Sequence, residues 1–177
     1  MVSGNVCIVT GSATGIGAAS AVELAKRSWR TVINYTKSEA EAQQTARECE
    51  KHGGETLLVR ANVAEDADCR RMADATLEKW GRIDGLINNA GTTKVVFNHA
   101  NLEALSAEDF QKIYAVNVVG AFQMIRAVEP TMRKQGRGSV VNISSRAGID
   151  STGTSIAYAA SKGALNTMTM GLARALG

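Results

Sequence analysis

The sequence predicts a three-layer α/β/α fold built on a doubly wound parallel sheet. Short apolar runs rich in β-branched residues alternate with longer helical patterns along the chain, which is typical of consecutive β-α-β units. The first apolar run leads directly into a glycine-rich loop that opens a helix. With 177 residues, 45% of them hydrophobic and 21% charged, we expect residues 1–177 to form one domain.

The first β-α-β unit starts with an apolar strand at residues 5–10, a glycine-rich loop at 11–17 and a helix to about Ser28. Glycines let a phosphate approach the backbone, and a helix start presents unpaired N–H groups, so this order of elements predicts a cofactor loop. Its spacing, Gly-x-x-x-Gly-x-Gly, fits the general dinucleotide fingerprint loosely. The alternative is a tight strand-to-helix turn that binds no ligand.

The second strand, residues 31–35, completes the unit. In a dinucleotide site the end of this strand faces the adenosine ribose, where an acidic residue binds the 2′-hydroxyl. Asn34 stands there instead, and hydroxyls and a cation follow it, namely Tyr35, Thr36, Lys37 and Ser38. Because no carboxylate repels a 2′-phosphate, the sequence favours NADP, with NAD possible. The same residues also suit a turn in which Ser38 caps the next helix, and both interpretations can hold.

A polar helix at residues 39–52 and a third strand at 56–60 follow. The third strand ends at Ala61, Asn62 and Val63, which could meet the adenine. After a second polar helix at residues 65–80, a fourth strand at 83–88 runs into Asn89, Ala90 and Gly91. These small and amide residues suit the close approach of a ribose or a nicotinamide.

Residues 106–135 show one long helical pattern, with a good start signal in Ser-Ala-Glu-Asp at 106–109. Pro130 should end or bend this helix nearby. Asn117 lies among valines on the face expected to be buried. A buried amide needs partners, so Asn117 either bonds to the backbone or holds a water in a polar pocket.

The last strand and helix carry the residues most suited to chemistry. Residues 140–143 read as a buried strand, which places Ser145 at its carboxyl end, where open α/β sheets put their active sites. Tyr158 and Lys162 are four residues apart, hence on one face of a helix. The ammonium should lower the phenol pKa from about 10 toward neutrality and make Tyr158 a proton donor. The alternative is an ordinary helix start with a solvated lysine.

Composition and spacing argue against several other functions. The net charge is only +3, and basic and acidic residues are interleaved, so nucleic acid is not an expected partner. Three cysteines without Cys-x-x-Cys spacing and two distant histidines predict neither a disulfide framework nor a metal site. With no apolar run near ~18 residues and no leader pattern, we expect a reduced, soluble, cytoplasmic protein without a membrane partner.

Five motifs stand in the order and spacing of one enzyme family: Thr10-Gly11-x-x-x-Gly15-Ile16-Gly17, Asn88-Asn89-Ala90-Gly91, Asn117, Ser145 and Tyr158-x-x-x-Lys162. Over essentially its whole length the chain resembles the short-chain dehydrogenase/reductase family, classical type, and in particular 3-oxoacyl-carrier-protein-reductase-like oxidoreductases. The resemblance implies a Rossmann-like fold and an NADPH-dependent oxidoreductase that reduces a ketone to an alcohol by hydride transfer.

The resemblance also implies roles for single residues. Tyr158 would be the general acid or base, and Ser145 would hold and polarise the substrate carbonyl. Lys162 would bind the nicotinamide ribose and act on Tyr158, while Asn117 would position a water that relays protons. Asn62 stands where the family usually has Asp, so its adenine contact is an amide contact. The implied cofactor contacts are Gly11, Ser12, Thr14, Gly15, Ile16, Gly17, Asn62, Val63, Asn89, Ala90 and Gly91.

Family members are longer, so the resemblance implies a truncated chain that lacks the last strands of the family sheet and a substrate lid. An alternative to the enzyme is therefore a fragment that binds a dinucleotide but is catalytically incomplete. A hydrolase using Ser144 or Ser145 fits poorly, because there is no Gly-x-Ser-x-Gly.

The loops at 92–98 and 146–154 would choose the substrate. A homo-oligomer, a dimer or tetramer, would form through apolar helix positions such as Val118, Val119, Phe122, Leu165, Met168 and Leu172.

Overall fold

The computed structural model describes residues 4–177 and contains one sheet of five parallel strands. The strands are β1 (Val6–Val9), β2 (Arg30–Tyr35), β3 (Thr56–Arg60), β4 (Gly85–Asn88) and β5 (Ser139–Asn142). Their order in the sheet is β3-β2-β1-β4-β5, so the winding direction reverses between β1 and β4. The predicted doubly wound sheet is confirmed, and the reversal places a ligand crevice at the carboxyl ends of β1 and β4.

Seven α-helices connect the described strands and follow the last of them. They are α1 (Gly15–Lys26), α2 (Glu39–Lys51), α3 (Asp66–Trp80), α4 (Ala107–Tyr114), α5 (Ala121–Gln135), α6 (Ala147–Asp150) and α7 (Ile156–Leu176). A short 3-10 helix at Leu102–Ala104 precedes α4. Within residues 4–177, no helix combines the length and the apolar character that crossing a bilayer requires.

Two apolar cores lie on opposite faces of the sheet. Val32 belongs to the core formed with α3 and α5, which includes Met72 and Met124, whereas the next residue, Ile33, belongs to the core formed with α1 and α2. This alternation is what a strand covered on both faces requires. The cysteines Cys7, Cys49 and Cys69 are buried and free.

The long helical pattern at 106–135 is interrupted by a π-helical turn, Ala115–Gly120, between α4 and α5. The predicted start is confirmed: Ser106 Oγ accepts a hydrogen bond from the Asp109 N–H, and the Asp109 carboxylate accepts one from the Ser106 N–H. Of the two outcomes predicted for Pro130, an end or a bend of the helix, the helix does not end at the proline, because α5 continues to Gln135. A proline removes one backbone donor, while Val128 and Met132 on either side of it stay buried against the sheet and hold the helix.

Strand β5 is an edge strand, and the prediction that it is buried is wrong. Val140 is 39% exposed and Val141 is 48% exposed, because within the described residues β5 pairs only with β4. An open groove of about 410 Å³ lies beside β5 and is lined by side chains of α5 and α7 that include Ile125, Met132 and Leu176.

Candidate active site

Two adjoining clefts run along the carboxyl-terminal edge of the sheet. The first, of about 700 Å³, lies over the ends of β1, β2 and β3 and is bordered by Thr14, Tyr35, Thr36, Asn62 and Val63 among others. The second, of about 730 Å³, is bordered by Ile16, Ser145, Tyr158 and Lys162 among others. Both clefts share the segment Asn89, Gly91 and Thr92. The two halves of a dinucleotide therefore have a continuous path from the end of β2 to Tyr158.

The glycine-rich loop borders both clefts, with Gly11 and Thr14 at the first and Ile16 at the second. Gly11 and Gly15 have φ values of 61° and 60°, a conformation that favours glycine. A Cβ on Gly17 would lie 2.5 Å from Asn89 Nδ2 and 2.6 Å from the Gly11 oxygen, so only glycine lets α1 begin this close to the end of β4. The loop thus presents the start of α1 to the cleft, which fits a bound pyrophosphate.

Thr10 joins the ends of β1 and β4, a role that the sequence analysis did not assign to it. Its Oγ1 accepts hydrogen bonds of 3.0 Å from both the Asn89 and the Ala90 N–H groups. Asn89 Nδ2 in turn donates to the Thr10 and Gly11 oxygens, at 3.0 and 2.9 Å. The Asn89 amide therefore shapes the cleft by holding its two walls together.

Asn34 borders the first cleft, but its side chain turns into the protein. It is 2% exposed; its Oδ1 accepts from the Gly11 N–H at 2.9 Å, and its Nδ2 donates to the oxygens of Val59 and Ala61 at 3.2 and 3.0 Å. The expectation that Asn34 faces the adenosine ribose is wrong, because its polar atoms clamp the ends of three strands. Ser12 is also turned inward, since its Oγ donates to the Val9 oxygen and accepts from the Asn34 N–H.

We expect Asn34→Ala to lower the free energy of unfolding by about 3 kcal/mol, because it removes the three hydrogen bonds of a side chain that is 2% exposed. Asn34→Asp should be at least as damaging, since a carboxylate cannot donate to the Val59 and Ala61 oxygens. Urea denaturation followed by circular dichroism measures both effects.

Thr36→Asp is the matched control, because it adds a carboxylate at an exposed position of the same strand end and should leave stability within about 0.5 kcal/mol. If Asn34→Asp kept wild-type stability and simply exchanged one dinucleotide for the other, the clamping role would be refuted.

Tyr158 and Lys162 lie together in the second cleft. The Ser155 hydroxyl caps α7 by accepting from the Tyr158 N–H at 3.2 Å, which fixes the first turn of the helix. Lys162 is 4% exposed; its Nζ donates to the Ile143 oxygen at 2.8 Å and lies 5.8 Å from the centre of the Tyr158 ring. Burial lowers the pKa of Lys162, because desolvation disfavours the ammonium. The alternative of a solvated lysine at an ordinary helix start is wrong.

The two serines after β5 have different surroundings. Both border the cleft together with Tyr158, but Ser144 Oγ donates to the Lys162 oxygen at 3.4 Å, whereas Ser145 Oγ accepts from the Ala147 N–H at 3.1 Å. A Cβ on Gly148 would lie 2.6 Å from the Lys162 carbonyl carbon, so α6 packs directly on the α7 backbone. Ser145 is thereby fixed relative to the helix that carries Tyr158 and Lys162.

Asn117 lies in the π-helical turn and is 1% exposed. Its Oδ1 accepts from the Thr92 N–H at 2.7 Å, and its Nδ2 donates to the Thr92 oxygen and to Ser161 Oγ, both at 3.0 Å. Ser161 Oγ then donates to the Tyr158 oxygen at 2.7 Å. Of the two alternatives, backbone satisfaction of the amide is therefore the one observed. Asn117 ties the segment after β4 to α7, and the sequence analysis did not identify its partner Ser161.

The other predicted cofactor residues divide by position. Tyr35 and Thr36 border the first cleft, while Lys37 and Ser38 are exposed just beyond it. Ser38 occupies the N-cap position of α2 without a side-chain capping bond. The Asn62 N–H donates to the Asp68 carboxylate at 2.7 Å, and Asn62 Oδ1 accepts from the Ala64 N–H at 3.1 Å. Ala61, at the predicted end of the third strand, also borders this cleft. The cleft has further border residues that the sequence did not point to, namely Ala64, Lys112, Ala115 and Val116.

Comparisons with known proteins agree with this geometry. A family model described as short chain dehydrogenase matches residues 5–177. The protein named as ketoacyl reductase 2 of the granaticin polyketide synthase from Streptomyces violaceoruber is 41% identical over 172 residues, which are 97% of this chain and 67% of that relative.

Solved structures show the same fold. A short-chain dehydrogenase/reductase from Burkholderia xenovorans superposes with a TM-score of 0.97 at 44% identity, over 100% of this chain and 74% of that one. NAD+-bound xylitol dehydrogenase superposes with a TM-score of 0.91 at 28% identity, over 99% and 66% of the two chains. The chain thus spans about two thirds to three quarters of each of these proteins. It belongs to the short-chain dehydrogenase/reductase family of NAD(P)-dependent oxidoreductases.

Proposed function

We propose that the protein is an NADPH-dependent reductase that converts a ketone to an alcohol, with Tyr158 as the proton donor. One observation carries this proposal: Ser145, Tyr158 and the buried Lys162 all border the second cleft, which adjoins the first cleft. When bound, the nicotinamide supplies the hydride for the carbonyl carbon.

The side chains of the chain itself handle the proton. The Tyr158 hydroxyl donates its proton to the substrate oxygen, and the Ser145 hydroxyl holds that oxygen with a hydrogen bond. The Lys162 ammonium lies beside the Tyr158 ring and can offset the negative charge that develops in the transition state. An ammonium has three donors, and the Ile143 oxygen uses one, so two are left for a ribose hydroxyl and a water. Lys162 then returns a proton to Tyr158 and takes one from that water.

The preference for NADP rests on the residues that follow β2. With the Asn34 amide turned inward, the groups next to the adenosine end of the cleft are Tyr35, Thr36 and Lys37, none of which carries a negative charge. A cation and hydroxyls at this place suit a phosphate on the ribose 2′-oxygen better than a hydroxyl.

The ketone would enter between two loops that the structure brings together. The Val96 N–H donates to the Thr154 oxygen at 2.8 Å, and the Thr93 and Thr154 hydroxyls share a hydrogen bond. Thr93 and Thr154 both border the cleft of Tyr158. These loops, rather than the catalytic residues, are therefore where we place the choice of substrate.

A second candidate is a dinucleotide-binding unit that is catalytically incomplete without further chain. It is favoured by the uncovered edge of β5 and by the shorter span relative to the proteins named above. The deciding experiment measures NADPH oxidation with a panel of ketones for two preparations, a polypeptide shown by intact mass to end at Gly177 and the native gene product. Turnover by both supports the reductase; dinucleotide binding without turnover by the shorter one supports the incomplete unit.

We also propose that copies of the chain associate through α5 and its neighbours. Val119 is 46% exposed and Phe122 is 40% exposed, whereas Leu165 is 2% exposed and belongs to the interior. Sedimentation as a monomer at micromolar concentration would contradict this.

A reducing, cytoplasmic location is part of the proposal and is supported by the three free, buried cysteines.

A further inference from the structure

We propose that Arg60, at the end of β3, is a second cation for the 2′-phosphate of NADP and acts together with Lys37. The inference rests on the proposed NADP preference and extends it to a residue on a different strand. Arg60 is exposed, and neither its position in the sequence nor the glycine loop points to it as a cofactor contact.

The geometry of the strand ends carries the assignment. Arg60 is the register partner of Tyr35, so its side chain starts beside the last residue of β2. Its Nε donates to the Thr36 oxygen at 3.1 Å, which lays the guanidinium along the turn that leads from Tyr35 to Lys37. Thr36 borders the first cleft. This bond uses one of the five guanidinium N–H groups, and the terminal nitrogens can meet a phosphate at the rim.

The backbone around Arg60 is fixed by its own network. The Arg60 oxygen accepts from Arg71 Nη2 at 2.9 Å, and the same Arg71 nitrogen bonds to the Asp68 carboxylate at 2.7 Å. The other Asp68 oxygen accepts from the Asn62 N–H at 2.7 Å. Asp68 is therefore held by Asn62 and Arg71, and its pKa is lowered by these bonds, so its charge is already paired. Arg60 is the register partner of Tyr35 and Lys37 follows Tyr35 by two residues, so both cations stand at the end of β2.

The chemistry discriminates between the two cofactors. A guanidinium binds phosphate oxygens through a planar pair of N–H groups, and a hydrogen bond to a charged group is the stronger kind. A ribose 2′-hydroxyl offers no charge to pair with. Removing the guanidinium should therefore weaken the binding of a 2′-phosphorylated ligand about 10- to 100-fold and leave its unphosphorylated counterpart almost unchanged.

The test uses 2′,5′-ADP and 5′-AMP as probes, with affinities from isothermal titration calorimetry. We expect Arg60→Gln to weaken 2′,5′-ADP about 10- to 100-fold and 5′-AMP less than about twofold. Arg60→Lys keeps the charge but loses the planar pair of N–H donors, so its affinity for 2′,5′-ADP should lie between those of wild type and Arg60→Gln. Arg70→Gln is the matched control, because Arg70 lies on α3, is exposed and pairs with Asp66; it should bind both probes like wild type.

The outcomes separate the two proposals. A wild-type protein that binds 2′,5′-ADP no better than 5′-AMP contradicts the NADP preference and Arg60 with it. If both Arg60 variants prefer 2′,5′-ADP over 5′-AMP as strongly as wild type does, the role of Arg60 is contradicted and the NADP preference is not. Equal weakening of both probes, with circular dichroism showing a folded protein, assigns Arg60 a structural role and also overturns the inference.

Discussion

Tyr158→Phe is expected to reduce ketone turnover about 10³-fold while the affinity for NADPH stays within about twofold of wild type. The hydroxyl is the proposed proton donor, whereas the half-buried ring and its backbone bond to Ser155 do not depend on it. Single-turnover rates give the chemical step, and quenching of protein fluorescence gives the NADPH affinity.

Tyr114→Phe is the matched control for this experiment. Tyr114 ends α4 outside both clefts, so removing its hydroxyl should leave turnover unchanged. Wild-type turnover by Tyr158→Phe would rule out Tyr158 as the proton donor, even if the protein proved to be a reductase.

Lys162→Met is expected to reduce turnover about 10²- to 10³-fold and to change how stability depends on pH. Burial lowers the pKa of Lys162 in the folded protein, whereas the unfolded chain has the ordinary value near ~10.4. Between these two values the unfolded state binds more protons, so the free energy of unfolding rises with pH. Below the folded pKa both states are protonated and this contribution is flat. The wild-type stability minus that of Lys162→Met should therefore climb only above the lowered pKa that Lys162 has in the folded protein.

Urea denaturation of both proteins between pH 7 and the alkaline limit of reversible unfolding measures this difference. Lys134→Met, at an exposed position near the end of α5, removes the same charge from a solvated site and should show no such slope relative to wild type. Parallel stability curves for wild type and Lys162→Met would mean that burial has no effect on the lysine.

The sequence predicts the elements well because their signals are local. Short apolar runs predict all five strands. The start signal at Ser106 predicts the N-cap of α4, and the cap is observed there. Burial of a strand is not a local property. Val140 and Val141 are β-branched like the buried valines of β1, but among residues 4–177 no strand pairs with the outer side of β5. The π-helical turn around Asn117 is likewise set by partners at Thr92 and Ser161, which are distant in sequence.

The candidate site shows the same division. Tyr158 and Lys162 could be paired from their spacing in one helix, and the shared cleft with Ser145 followed from its place after a parallel strand. Asn34 could not be interpreted correctly, because the direction of its amide depends on acceptors and a donor at Gly11, Val59 and Ala61. These residues lie on other segments, and only the assembled sheet brings them to Asn34.

The open side of β5 has a practical consequence for any polypeptide of these 177 residues. Ser139–Asn142 contains no charged residue and no proline, the features with which natural sheets discourage intermolecular strand addition. The β5 strands of two molecules can therefore pair through their free backbone N–H and carbonyl groups. The apolar groove next to β5 adds surface that favours association. Light scattering of such a preparation should rise with protein concentration, and a lysine introduced at Val141, on the rim of the sheet, should suppress that rise.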